Sequence, residues 1–425
     1  MKVLIVGNGG REAALVRKIF ESPLVKKVFC APGNAGTSAY ATNVKIPVND
    51  IPGLLEFAKQ ECIDLTIVGP EDPLTMGIVD VFKENGLAIF GPSKGAAILE
   101  GSKLFTKALL EKYDIPTAGY KRFYDPTSAE KYVVDQDFPV VIKANGLAAG
   151  KGVFICENLA DAISAIQEIM VARKFGDAGE CIIIEEFLRG EEASYIVLVD
   201  ENGHVLPLAS SQDHKRVGND DTGLNTGGMG AYSPAPVVTA EIERRVLNEI
   251  IYPTVDAMIK EGRPFTGFLY AGLMIDRDGN PKVLEFNVRM GDPETQPLMM
   301  RMKSDLVPIL LAALKGELDK CQIDWDPRKA VCVVMAANGY PGSYRKSLYI
   351  EGIDEVEQAG AKVYHAGTAL NEQGELVSSG GRVLGVTALG ETFVEAQHAA
   401  YQAVSGIRHD GLFYRDDIAN HAIKK

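Results

Sequence analysis

The sequence predicts a multidomain chain of α/β and α+β character. An N-terminal parallel-sheet domain covers residues 1–101, a central α+β domain residues 102–326, and a C-terminal α+β domain residues 327–425. Three observations predict this. The first hundred residues alternate short, continuously apolar strands with helices, the rhythm of a parallel sheet covered on both faces. From residue 102 the rhythm gives way to strands joined by short polar turns. The length, 425 residues, is enough for several cores.

In order along the first domain, KVLIVG is a strand, REAALVRKIF a helix and KKVFCAPG a strand. A helix follows near IPGLLEFAKQ, then the strand DLTIVGPED, the helix GIVDVFKENG and the strand LAIFGPS. Ligands on such sheets sit at the carboxyl ends of the strands. Those ends read GNGGRE, APGNAG, GPED and GPS, all glycine-rich and polar. A dinucleotide fold would need a third glycine where Glu12 stands. It would also need an acid where the second strand ends in Ala31-Pro32-Gly33. A small anionic ligand remains in keeping with glycine loops that open a helix.

In the central domain, GSKLFTKALLEKYDIPTA is an amphipathic helix stopped by proline. Strands FPVVIKA and GVFICE follow, joined by NGLAAGKG, and then a helix and the strand ECIIIEEFL. This stretch, about 122–190, reads as a lid. Beyond it come ASYIVLVD, HVLPLASS, a long polar loop over 212–230 and a long helix. A hairpin of GFLYAGLMID with KVLEFNVRM turns on Arg277-Asp278-Gly279-Asn280. The C-terminal domain contains VCVVMAA, a hairpin across Gly380-Gly381 and the helix TFVEAQHAAYQAV.

Net charge is −13, which argues against nucleic acid as a partner, and no apolar run is long enough to span a membrane. The N-terminus starts as a strand, with no signal-peptide h-region, so a cytoplasmic location is expected. Six cysteines form no CxxC pair and read as reduced thiols; six scattered histidines offer no zinc spacing.

NGLAAGKG differs from a Walker loop: three residues separate Gly146 from Gly150, Gly152 follows Lys151, and the loop joins two strands. Small residues tipping a hairpin suit a movable cover over a triphosphate. Lys143 before the loop and Lys103 on the preceding helix can neutralise phosphate oxygens; solvated surface lysines are the bland alternative. IIIEEFLRGEE offers an apolar slot, a backbone edge and carboxylates for an adenosine, or else a strand running into an acidic turn. In LEFNVRM, Glu285, Asn287 and Arg289 alternate with apolar residues and share one face of a strand. A carboxylate and a carboxamide suit a hard cation, and the guanidinium fork suits an anion.

GSKLFTK, VIKANGLAAGKG, IIIEEFLRGEEAS, SQDHKRVGNDDTGLNTGGMGAYSP and LEFNVRMGDPETQP look like the successive signatures of an ATP-grasp enzyme. With GNGGRE, PGNAG and VGPEDPL in front, the whole chain resembles the glycinamide ribonucleotide synthetase family. The resemblance implies a pre-ATP-grasp domain, an ATP-grasp core with a mobile lid, and a C-terminal domain. It implies a ligation in purine biosynthesis: ATP, glycine and 5-phosphoribosylamine give glycinamide ribonucleotide, ADP and phosphate by way of glycyl phosphate. On matching positions, Lys103, Lys143, Gly146, Gly150, Lys151 and Gly152 would bind the ATP phosphates. Glu185, Phe187 and Leu188 would edge the adenine, and Glu192 would bind the ribose. Glu285 and Asn287 would ligate Mg²⁺ or Mn²⁺, beside Arg289. Gly9, Gly10, Arg11 and Asn34 would hold the phosphoribosylamine phosphate. Asp213, Lys215, Gly228 and Met229 would line the pocket shared by glycine and the amine.

The chemistry agrees, since phosphorylation gives a carboxylate a leaving group and no enzyme nucleophile is then needed. Three positions depart from the family pattern: Ala13 replaces a histidine, Asn145 an aspartate and Leu224 a proline. A sibling ATP-grasp carboxylase and a non-catalytic nucleotide-binding protein are the rival readings. Oligomeric state stays open, a monomer being admissible.

Overall fold

A computed structural model describes residues 1–146 and 152–424. Five parallel strands build the first sheet: β1 (Lys2–Gly7), β2 (Lys27–Pro32), β3 (Thr42–Asn43), β4 (Leu65–Val68) and β5 (Ile89–Phe90). Their order is β3-β2-β1-β4-β5. The chain thus leaves β1 on one side and returns on the other, opening a crevice at the carboxyl ends of β1 and β4. Glu12, on helix α1 (Gly10–Phe20), fills that crevice. A Cβ on Gly7 would lie 2.2 Å from Glu12 Cγ, and one on Gly69 2.0 Å from Glu12 Oε1. The acid that breaks the dinucleotide fingerprint therefore occupies the space a pyrophosphate would need.

Strands β6 (Tyr120–Phe123), β7 (Val140–Ala144), β8 (Val153–Cys156) and β9 (Ile182–Glu186) form the lid sheet, in the order β6-β9-β7-β8. Strands β7 and β8 are the expected antiparallel hairpin. Phe123, Val140, Ile142, Ile166, Ile169 and Ile184 close a hydrophobic cluster that belongs to the lid alone. The opposing sheet runs β11 (Val205–Pro207), β10 (Glu191–Val199), β16 (Gly267–Ile275), β17 (Pro281–Asn287), all antiparallel. A bulge interrupts the β16–β17 ladder between Gly272 and Leu273, and β17 ends at Asn287. Arg289 lies past the strand end, so the expected three-residue alternation stops at two.

The polar stretch expected as one loop over 212–230 holds three short strands: β12 (Gln212–Asp213), β13 (Arg216–Gly218) and β14 (Thr222–Asn225). β13 and β14 form a small hairpin. β12 pairs β15 (Gly230–Ser233), which pairs β18 (Lys329–Ala337), tying the central domain into the C-terminal sheet. The hairpin expected across Gly380-Gly381 is not formed. Leu376–Ser378 pairs Thr368–Leu370, whereas Arg382–Gly390 pairs β18 and Lys362–His365. Nine largely buried residues in Arg382–Gly390 need a central position, and that outweighs the local turn signal. Among the described residues, no helix is long and apolar enough to cross a membrane, and all six cysteines are free.

Candidate active site

All three parts of the chain border a cleft of about 960 Å³, lined among others by Arg11, Lys103, Lys143, Glu185, Asp213, Glu285, Asn287, Arg289 and Arg382. β17 carries Glu285 and Asn287 on its floor. Burial pushes the Glu285 carboxyl up, but Lys215, Lys143, Lys103 and Arg289 together hold it below its ordinary value. An ionised carboxylate beside a carboxamide oxygen, on a rigid strand, fits a hard divalent cation.

On the lid side, Lys143 Nζ lies 2.9 Å from Glu185 Oε2 and donates to the Leu284 carbonyl at 3.1 Å. Lys107, on helix α6 (Lys103–Lys112), lies 3.3 Å from Glu185 Oε1. It also donates to Thr117 Oγ1 and the Ala118 carbonyl. The Glu185 side chain, expected at the adenine edge, is thus a counter-ion shared by two lysines. Burial lowers Lys107 to about 8 despite that partner. Lys103 Nζ donates to the Gly146 carbonyl at 2.9 Å, and burial lowers its pKa too. Phe187, Leu188 and Gly152 line the same cleft. Gly150 and Lys151 lie outside the described residues. Asn145, where the family pattern has an acid, accepts from Ser102 Oγ and from the Leu104 N–H at the start of α6. The hydrogen bond of an aspartate is kept without its charge.

Arg289 is already engaged. Its Nε donates to Glu71 at 3.1 Å and its Nη2 lies 3.0 Å from Glu100. Burial pushes Glu71 up, but Arg289 and Arg11 pull it down to about 2. Burial wins at Glu100, which rises to about 7 in spite of Arg289.

Asp213 and Lys215 flank His214, and Lys215 Nζ pairs with Glu192 Oε2 at 2.7 Å. Burial drives the Asp213 carboxyl up to about 8 against the pull of Lys215, helped by Glu294, Glu192 and Glu285. Glu294 accepts from Tyr270 Oη at 2.6 Å and Ser194 Oγ at 3.1 Å.

Five expected substrate contacts have other work. Met229 is fully buried in the C-terminal core with Val333 and Met335. It stands immediately before β15, and the loop reading of TGGMG missed its burial. Gly228 has φ +112°, and a Cβ there would sit 2.4 Å from Pro293 Cδ. We expect Gly228→Ala to cost on the order of 2 kcal/mol through strain and crowding, read as a lower urea midpoint. Asn34 spends its carboxamide on the Asn8 and His365 carbonyls and the Gly36 and Thr37 amides. The Gly9 N–H is taken by Glu12 Oε2 and the Arg11 N–H by Asp292 Oδ2, so carboxylates of the chain itself occupy the α1 N-terminus. A Cβ on Gly10 would meet Gln296 Nε2 at 2.5 Å. Arg11 reaches the cleft, with its Nη1 on the Met290 carbonyl. Ala13 packs in the core beside Val3 and Ile5, and Leu224 is exposed on β14.

Sequence reasoning missed Lys107, Glu71, Glu100, Asp292, Glu294 and Arg382. Lys107 follows Lys103 by four residues, which places both on one helical face. That spacing was a usable signal; the others meet only through tertiary packing.

Models of the three parts of phosphoribosylglycinamide synthetase match in order: the N domain over 1–100, the ATP-grasp (A) domain over 101–295 and the C domain over 330–421. The chain is 58% identical over 427 aligned positions to the phosphoribosylamine–glycine ligase of Escherichia coli K12, and 57% to that of Vibrio vulnificus. Each alignment covers 100% of this chain and 99% of the relative. Among solved structures, the phosphoribosylamine–glycine ligase of Thermotoga maritima superposes with a TM-score of 0.86 at 32% identity, covering 99% of this chain and 100% of that one. A biotin carboxylase from Campylobacter jejuni shares the fold, with a TM-score of 0.75 at 15% identity over 100% of this chain and 95% of that one. The full-length matches and the three parts in their order show that the chain belongs to the phosphoribosylglycinamide synthetase family.

Proposed function

We propose that this chain is an ADP-forming ligase that joins glycine to 5-phosphoribosylamine at the expense of ATP, giving glycinamide ribonucleotide, ADP and phosphate. The observation that carries this reading is the ionised Glu285 beside Asn287, ringed by Lys103, Lys143, Lys215 and Arg289 in one cleft. Such a ring suits a polyphosphate and a carboxylate brought together with a metal.

Lys103 and Lys143 bind the nucleotide phosphates under the lid, and Phe187 and Leu188 flank the adenine. Glu285 and Asn287 would hold a divalent ion, Mg²⁺ or Mn²⁺, which would supply charge to neutralise phosphate oxygens. Arg289, steadied by Glu71 and Glu100, faces the carboxylate being activated. The lid keeps water from glycyl phosphate, whose hydrolysis would waste the nucleotide. Arg11 and Arg382 offer positive charge toward the phosphate of the ribosylamine. As the amine nitrogen attacks the glycyl carbon, the bond between that acyl carbon and the phosphate oxygen breaks, inorganic phosphate leaves, and Asp213 takes the proton the nitrogen loses.

Omitting ATP, glycine or 5-phosphoribosylamine in turn tests the reaction. ADP release is expected only when all three are present; release with bicarbonate in place of glycine would overturn the reading.

The raised Asp213 makes a prediction of its own. As a base it must be ionised, so kcat/KM for the amine should rise with pH through a limb near 8, and Asp213→Asn should remove that limb. Stability runs the other way. A carboxyl with a raised folded-state pKa contributes stability below its unfolded value of about 3.9 that is lost as the pH climbs through 8. The Asp213→Asn protein is therefore expected to gain in thermal stability relative to the parent between pH 5 and pH 8.

A further inference from the structure

We infer that the C-terminal segment 415–421 sets the position of Asp213 and Lys215 through His214, and that Arg415, Asp221 and His421 are positioning residues for the ligation. This rests on Asp213 and Lys215 belonging to the glycine and amine pocket.

The arrangement follows from extended backbone. His214 continues the β12 pairing, its N–H donating to the Gly230 carbonyl and its carbonyl accepting from Met229 N–H, both at 2.8 Å. Neighbours along an extended chain face opposite ways. Asp213 and Lys215 line the cleft, and the buried His214 ring reaches the C-terminal segment at the cleft margin. There its centroid lies 5.5 Å from that of His421 and 5.9 Å from that of Tyr232. The Ala419 N–H donates to His214 Nε2 at 3.1 Å, so Nδ1 carries the proton of the neutral ring. Nδ1 faces Asp221 Oδ1 at 3.7 Å.

Asp221 is held in turn from two sides. Arg415 Nη1 donates to its Oδ1 at 2.8 Å, and His421 Nε2 lies 3.1 Å from its Oδ2. Arg415, itself buried, also donates to the Arg216 carbonyl at 3.0 Å and places Nε and Nη2 on the two oxygens of Asp417. Asp417 accepts from the Asp220 N–H at 2.8 Å. The segment is fastened to the C-terminal domain by Tyr401 Oη, which donates to the Arg415 carbonyl and accepts from the Ile418 N–H. The β13–β14 hairpin, which contributes Arg216 and Asn225 to the cleft wall, is thus gripped from outside at Arg216, Asp220 and Asp221.

His214, Asp221 and His421 bring ligand atoms within 4.8 Å of one another, the geometry of a metal site. The chemistry is wrong for one. The nitrogen of His214 that faces Asp221 is protonated, and a guanidinium already sits on the Asp221 carboxylate. The cluster is a hydrogen-bonded clamp on the hairpin that directly follows Asp213 and Lys215.

The test uses the half-exposed members, whose replacement is expected to leave the fold intact, beside the buried one. Asp221→Asn and His421→Ala are expected to lower kcat/KM for glycine and for phosphoribosylamine about tenfold while KM for ATP stays within about twofold, because misplacing a binding group costs rate at the atoms it serves. Arg415→Ala is expected to do the same more severely, with Arg415→Lys restoring part of the loss. Equal losses for all three substrates, tracking a lower melting temperature, would mean a merely structural role and overturn the inference. Unchanged kinetics in Asp221→Asn and His421→Ala would overturn it as well, provided Asp213→Asn and Lys215→Met are impaired. Intact activity in those last two variants would instead remove the pocket reading, and this inference with it.

Discussion

Glu285→Ala is expected to lower ADP release by at least about 10³-fold, a loss of roughly 4 kcal/mol in transition-state stabilisation. The size follows from the surroundings. Four cationic groups converge on this carboxylate and hold it ionised, and with Asn287 it makes the hard-oxygen pair of the cleft floor. Without it the proposed metal site would lose its charged ligand, and the lysines would lose the group that balances them. The fold should survive, because Glu285 borders an open cleft where water can solvate Lys103 and Lys215. Far-UV circular dichroism should therefore match the parent. Full turnover in this variant would remove the metal assignment.

Glu185→Ala is expected to strike stability instead. Lys107 and Lys143 are both buried and both face this one carboxylate. Removing a partner from a buried ion pair leaves charge uncompensated, typically at a cost of about 3–5 kcal/mol. Here two lysines would be left repelling each other. The loss should appear as an earlier thermal transition, and it should shrink as the pH rises toward about 8, since Lys107 gives up its proton more readily once Glu185 no longer raises it. Glu185→Gln, which keeps hydrogen-bond acceptance, should lose less. A melting curve unaltered by Glu185→Ala would show that the lysines are compensated by other groups.

Much of this site was legible because its chemistry lies on continuous strands and turns. The Glu285–Asn287 pair needs only the two-residue period of β17, and the lid hairpin only two apolar strands around a glycine loop. Arg289 shows where that legibility ends. Its partners Glu71 and Glu100 lie 218 and 189 residues earlier in the chain, joined to it by packing of the parallel-sheet domain on the ATP-grasp core. Met229 and Asn34 show a different limit. Both sit in glycine-rich segments that look like binding loops, yet one side chain fills a core and the other stitches a turn. Composition marks a loop as unusual without saying whether a ligand or the protein uses it. The Gly380-Gly381 turn failed for a related reason: a local signal for reversal cannot outbid a strand whose burial demands a central place.

The lid closes its hydrophobic cluster within itself, while polar and ionic links fasten it to the body of the protein: Lys107 and Lys282 to Glu185 and Glu186, and Lys143 to the Leu284 carbonyl. Swinging it would therefore break ion pairs. Added salt should accordingly screen the exposed Lys282–Glu186 link first and leave the buried Lys107–Glu185 pair largely intact.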